Sequence, residues 1–135
     1  MTSALRKPRN NTGPSKNQKI LFKAIMGIKE KLKILDADLA ALLHIDKGTI
    51  SHWKAHQAIP FKMEGPLGLK EEAILASMQL DQYLAEIFTN PEDQKTWFFS
   101  PKKTMGGSPF QLIKDNSANI FYLRDFLQAM AAAGA

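Results

Sequence analysis

Five groupings of side chains in the 135-residue sequence have the types and spacing to do chemistry, and four of them fall away on inspection. His52 and His56 stand four apart, which puts two imidazoles on one helix face and can hold zinc. No carboxylate helps nearby and no third ligand is evident, so phosphate contact or plain exposure is the expected role. Ser51 and His52 are neighbours, and neighbours on a helix cannot face each other, so they make no nucleophile–base pair. Glu71-Glu72 and Glu92-Asp93 are paired acids, but each pair falls in the first turn of an expected helix, where negative charge complements the helix dipole. Met105-Gly106-Gly107 lacks the Gly-Lys-Ser/Thr ending that cradles phosphate in a nucleotide loop. The remaining grouping is Lys47, Gly48, Thr49, Ser51, His52 and Lys54: short polar and basic groups suited to meeting base edges and phosphates. That chemistry is binding, not catalysis. No enzymatic activity, metal or cofactor is expected.

These residues need a scaffold that turns them outward, and the segment DADLAALLHIDKGTISHWKAH (36–56) reads as two short helices, about 38–43 and 47–56. Asp46 suits the N-cap of the second, since its carboxylate accepts free N–H groups of the first turn. Ala40 is small where the helices must touch, and Leu39, Leu43, Ile45, Ile50 and Trp53 supply anchors. Gly48 costs about 1 kcal/mol of helix stability relative to Ala, and a close approach to DNA is a reason to keep it.

The rest of the chain also reads as helix, with no convincing strand, so the fold class is all-α. A first helix at about 17–33 carries the stripe Leu21, Ile25, Ile28 and Leu32. Pro60, Gly65, Pro66 and Gly68 make 57–68 a linker. Helices follow at about 69–88, from Asn90-Pro91, from Ser108-Pro109 (with Gln111 spaced for a capping box) and at about 118–132. Residues 1–15, with Arg6, Lys7 and Arg9 and little to bury, are expected to form a disordered basic arm.

Charge divides the chain. Residues 1–62 hold 12 Lys and Arg against 4 Asp and Glu, a net of +8, whereas residues 63–135 hold 6 against 9, a net of −3. The first half, with a DNA-binding region at 16–62, is drawn to phosphate; the second, at 63–135, has no such pull. Without cysteine there are no disulfides, thiolate zinc sites or thiol nucleophiles, which fits a reducing, cytoplasmic location. No apolar run has membrane-spanning length, so no membrane association is expected.

The segment 36–56 resembles the Xre type of helix-turn-helix, the phage-repressor kind, through Ala40, Ile45, Ile50 and Trp53 followed by Lys54. It departs from that pattern twice. His44 stands where a left-handed glycine is usual, and Asp36 stands where a polar amide usually donates to phosphate. The C-terminal stretch 87–127 orders a capped helix, the aromatic run Trp97-Phe98-Phe99, a Pro101-to-Gly107 turn and two further helices. Physically this is a small bundle with Trp97, Phe110, Leu112, Ile113 and Leu123 as its core.

In the order Trp97, Pro101, Met105-Gly106-Gly107, Pro109, Leu112 and a final apolar helix, it resembles the toxin-binding domain of the Xre/MbcA/ParS antitoxins. It differs at Phe98, where leucine is favoured, and at Asp115-Asn116-Ser117. The resemblance implies a type II antitoxin that covers the active site of a toxin, often an NAD-consuming one of the RES type, and represses its own operon on operator DNA; a homodimer is expected separately, because a single helix-turn-helix reads few bases. Toxin contacts are then expected at Lys102, Lys103, Gly106 and Gly107. The small terminal residues Gly134 and Ala135, with a free carboxylate, suit insertion into a cationic pocket. The residues alone leave a second reading open: a phage-like repressor whose C-terminal bundle only dimerises.

Overall fold

Ser15 starts the first helix. Its hydroxyl accepts the Gln18 N–H at 3.2 Å while Gln18 Oε1 accepts the Ser15 N–H at 3.1 Å, a reciprocal capping box. The helix therefore begins before the expected position 17, and the missed signal was the Ser-x-x-Gln spacing itself. The protein, described here by a computed structural model over residues 15–60 and 69–134, is all-helical, with no strand among those residues. Most of the expected basic arm and of the expected linker lies outside the described residues.

Among the described residues there are seven helices: α1 (Lys16–Leu32), α2 (Asp36–Leu43), α3 (Lys47–His56), α4 (Leu69–Ile87), α5 (Pro91–Phe99), α6 (Pro109–Asp115) and α7 (Asn119–Ala132). Side-chain caps start several of them. Asp46 accepts the Thr49 N–H, Asn90 accepts that of Glu92, and Ser108 accepts that of Gln111. The capping box expected at Ser108 is only half formed, because the Gln111 amide reaches forward to Asp115 at 2.8 Å instead of back to the cap. The acid pairs Glu71-Glu72 and Glu92-Asp93 do occupy first turns.

The first three helices all end on a residue with positive φ that is not glycine: Lys33, His44 and Gln57. His44, at φ 54° and ψ 48°, takes the left-handed position that closes α2, and its N–H reaches back to Ala40 and Ala41. The glycine missing from the turn is thus replaced by a residue type that tolerates this conformation.

One apolar cluster runs through the chain. The expected stripe of α1 is buried at Ile25, Ile28 and Leu32, while Leu21 is half-buried. α2 and α3 cross with Ala40, Leu39, Leu43, Ile50 and Trp53 inside; Ile45 stays half-exposed. α1 packs on α4 and α5, α2 packs on α4 and α6, and α4 lies along α7. Ile28, Leu32, Leu42, Leu80, Phe98, Ile113 and Ile120, drawn from six helices, meet around one interior space of about 20 Å³. The basic half and the acidic half share this core, so the charge boundary is not a packing boundary.

The aromatic run is placed differently from expectation. Phe98 is the buried member, 1% exposed, with Ile113 and Leu123; Trp97, Phe110 and Leu112 are half-buried. Successive helical residues are 100° apart, so three adjacent aromatics cannot all face the centre. Phe98 and Phe99 pack on Phe110, with ring centroids 5.8 and 4.9 Å away, while Trp97 turns to stack on Phe126 of α7 at 6.5 Å. Gln94, 3% exposed, fixes the α4–α5 corner by donating Nε2 to the Phe88 carbonyl at 2.7 Å.

Candidate functional site

The face expected to meet DNA is built by α3 and its cap. Asp46 Oδ1 accepts both the N–H of Thr49 (2.7 Å) and its hydroxyl (2.9 Å). These bonds hold the Asp46 carboxyl below the usual carboxylate range. Thr49 is therefore half-buried and its hydroxyl proton is committed to the cap, whereas Lys47, Gly48, Ser51 and His52 are exposed as expected. A methyl group added at Gly48 meets only Asp46 Oδ1, at an ordinary 3.4 Å. Nothing among the described residues requires glycine there. The His52 and His56 rings lie 4.3 Å apart on the exposed side of the same helix.

Lys54 has a partner that sequence reasoning missed. Its ammonium donates to Asp36 Oδ2 at 2.9 Å, and Lys29 reaches the other oxygen at 3.5 Å. The Lys54 hydrogen bond is the main reason that the Asp36 carboxyl sits below its ordinary range. The charge at the start of α2 is thus balanced within the protein, and Lys54 is half-committed to balancing it. The signal available in the sequence was only that Asp36 and Lys54 are 18 apart, which means nothing until α2 and α3 are folded against each other.

The turn between these helices is tied to the other half. The His44 ring lies with Nε2 3.3 Å from the Ile113 carbonyl of α6, a contact that requires the proton on Nε2. Lys31 of α1 forms an ion pair with Asp81 of α4.

The surface expected to meet a toxin is centred on the turn after α5. Lys102 and Gly107 form an isolated antiparallel bridge, with the Lys102 N–H on the Gly107 carbonyl at 2.9 Å. The N–H groups of Met105 and Gly106 both return to the Lys102 carbonyl at 3.0 Å. Gly106, at φ 78°, is where this reversal needs glycine. Lys102, Gly106 and Gly107 are thereby brought together, with Lys103 exposed beside them. The Lys102 ammonium lies 5.2 Å from the centre of the Trp97 ring, and burial lowers its pKa. Beyond Trp97 the stack continues through Phe126 to Tyr122, which is half exposed. This lysine-to-tyrosine ridge joins the turn to α7; sequence reasoning saw its members but not their alignment.

Gly134 lies on a separate element. It follows the last turn of α7 at φ 74°, its N–H on the Ala131 carbonyl at 3.1 Å, and Ala135 lies outside the described residues. No group of three or more His, Asp or Glu able to hold a metal occurs among the described residues, and no helix there is long and apolar enough to cross a membrane.

No family model and no curated protein matches the sequence. The fold is shared with a chain in the crystal structure of the MbcT-MbcA toxin-antitoxin complex of M. tuberculosis. The two superpose with a TM-score of 0.58 over 84% of this chain and 96% of that one, with 19% of residues identical.

Proposed function

We propose that this protein is the antitoxin of a toxin–antitoxin pair: it binds a toxin through its C-terminal half and DNA through α3. The observation that carries this reading is the fold likeness, which spans both halves and nearly the whole of a chain from such a complex. The exposed, capped α3 supports the DNA arm as an Xre-type helix-turn-helix that represses its own operon. The tight 102–107 turn and the aromatic ridge beside it support the toxin arm. In the finer form of the proposal the toxin is of the RES type and consumes NAD. Lys102, Lys103, Gly106 and Gly107 contact its surface, and Gly134 with Ala135 enters its pocket. A homodimer completes the DNA arm, since a single helix-turn-helix reads few bases and two-fold partners reach half-sites about 34 Å apart.

Expression of this protein together with the product of the neighbouring reading frame tests the proposal. The two are expected to purify as a complex, and growth arrested by the neighbour alone is expected to resume. A neighbour that is harmless, or that never associates, removes the antitoxin reading. Deleting 132–135 should return toxin activity while leaving the complex with DNA intact; full neutralisation by the shortened chain rules out the terminal plug.

A further inference from the structure

A cleft of about 460 Å³ lies between the N-terminal part of α1 and the C-terminal end of α3, lined by Lys19, Phe22, Lys23, His56 and Gln57. None of its lining residues among those described is acidic. Its two lysines are exposed and form no ion pair among the described residues. The lysines nearer α2 and α4 behave oppositely: Lys29 and Lys54 are held by Asp36, and Lys31 by Asp81. The positive charge of the N-terminal half is therefore not spread evenly. It is balanced internally at the start of α2, where a helix-turn-helix would be expected to hold phosphate, and unbalanced at the far end of α3.

We propose that this cleft binds the phosphate backbone of double-stranded DNA, through Lys19 and Lys23 with His56 between α1 and the end of α3. The inference rests on the DNA-binding reading above and assigns it a phosphate site that the recognition face does not contain. Two physical arguments carry it. A concave site with one sign of charge and the half-buried Phe22 ring as a low-dielectric wall focuses its field on an anion. The second argument is spacing. Lys47 opens α3 and His56 closes it, nine residues later, so the two ends stand about 13.5 Å apart at 1.5 Å per residue. The major groove is about 12 Å wide. A helix with Lys47 at one end and the exposed Lys19 and Lys23 beside the other meets phosphates on both walls of the groove, Lys47 on one and the cleft on the other.

The test compares the full-length protein with Lys19→Ala/Lys23→Ala and with the control Lys70→Ala/Lys114→Ala, which removes the same charge from the other half. Alanine favours helix at all four positions, and far-UV circular dichroism checks that the fold is kept. Each protein is titrated with the duplex upstream of its own gene and with an unrelated duplex of equal length, from 50 to 300 mM salt. The cleft variant is expected to bind both duplexes more weakly, on the order of tenfold per lysine at 0.1 M salt. Its slope of log affinity against log salt should fall by about 1.8, at 0.9 per lost phosphate contact. The control should keep the parent slope. Parent-like affinity and slope in the cleft variant overturn the inference and leave the DNA-binding reading standing. A parent protein without salt-dependent binding, or one that prefers single-stranded RNA of the same length, overturns both.

Discussion

Asp36 and Asp46 begin α2 and α3, and their carboxylates face different tasks. Asp36 holds Lys54 and Lys29; Asp46 holds the first turn of α3. Both titrate below the ordinary carboxylate range in the folded chain. The unfolded chain then takes up protons first as pH falls. The stability each contributes is present above the unfolded value near 4 and is lost as pH drops through the folded value. Asp46→Ala is therefore expected to lower the melting temperature at pH 7, with the gap from the parent shrinking by pH 3; an equal gap at both pH values contradicts the cap as the source. Asp36→Asn should release Lys54 and Lys29 to solvent, which, on the proposed DNA-binding role, is expected to strengthen DNA binding and steepen its salt dependence. Salt titrations that match the parent would show that these lysines are not within reach of phosphate.

At the scale of elements, three successive helices end on left-handed Lys33, His44 and Gln57. An L-residue in that region is strained by roughly 1–2 kcal/mol, and glycine is not. Gln57→Gly is expected to stabilise the protein by about 1 kcal/mol in urea unfolding. His44→Gly should gain less, because it gives up the ring contact with the Ile113 carbonyl. Equal gains at the two positions would mean that this contact contributes nothing. His44 is where the turn between α2 and α3 meets the C-terminal half.

The molecule as a whole has one core, reached from α1 through α7. Residues from six helices meet near Phe98, and Phe98→Ala is expected to cost about 3–5 kcal/mol although Phe98 touches neither proposed DNA contact nor turn glycine. A shared core also predicts a single transition. In Trp97→Phe the remaining tryptophan, Trp53, is buried in α3. Its emission should report the same midpoint as the far-UV signal of the whole chain. A Trp53 transition several degrees below the helical one would show a helix-turn-helix that melts alone.

Helix existence and type, and bounds to within one or two residues, were legible in the sequence because they rest on local signals. The 3.6-residue spacing of Ile25, Ile28 and Leu32, the caps Asp46, Asn90 and Ser108, and Pro at the first helical position act within one or two turns. The left-handed turn at His44 was legible for the same reason: α2 must stop between Leu43 and Asp46, and the backbone has few ways to do it. The exposed face of α3 followed from its period. What only the tertiary structure decided are relations between residues far apart along the chain. Lys54 with Asp36, His44 with Ile113 and Trp97 on Phe126 join separate helices. Their meeting depends on crossing angles and on which of Trp97, Phe98 and Phe99 turns inward. Those are set by how side chains from six helices fill one interior, a property of the packed whole and not of any window of sequence.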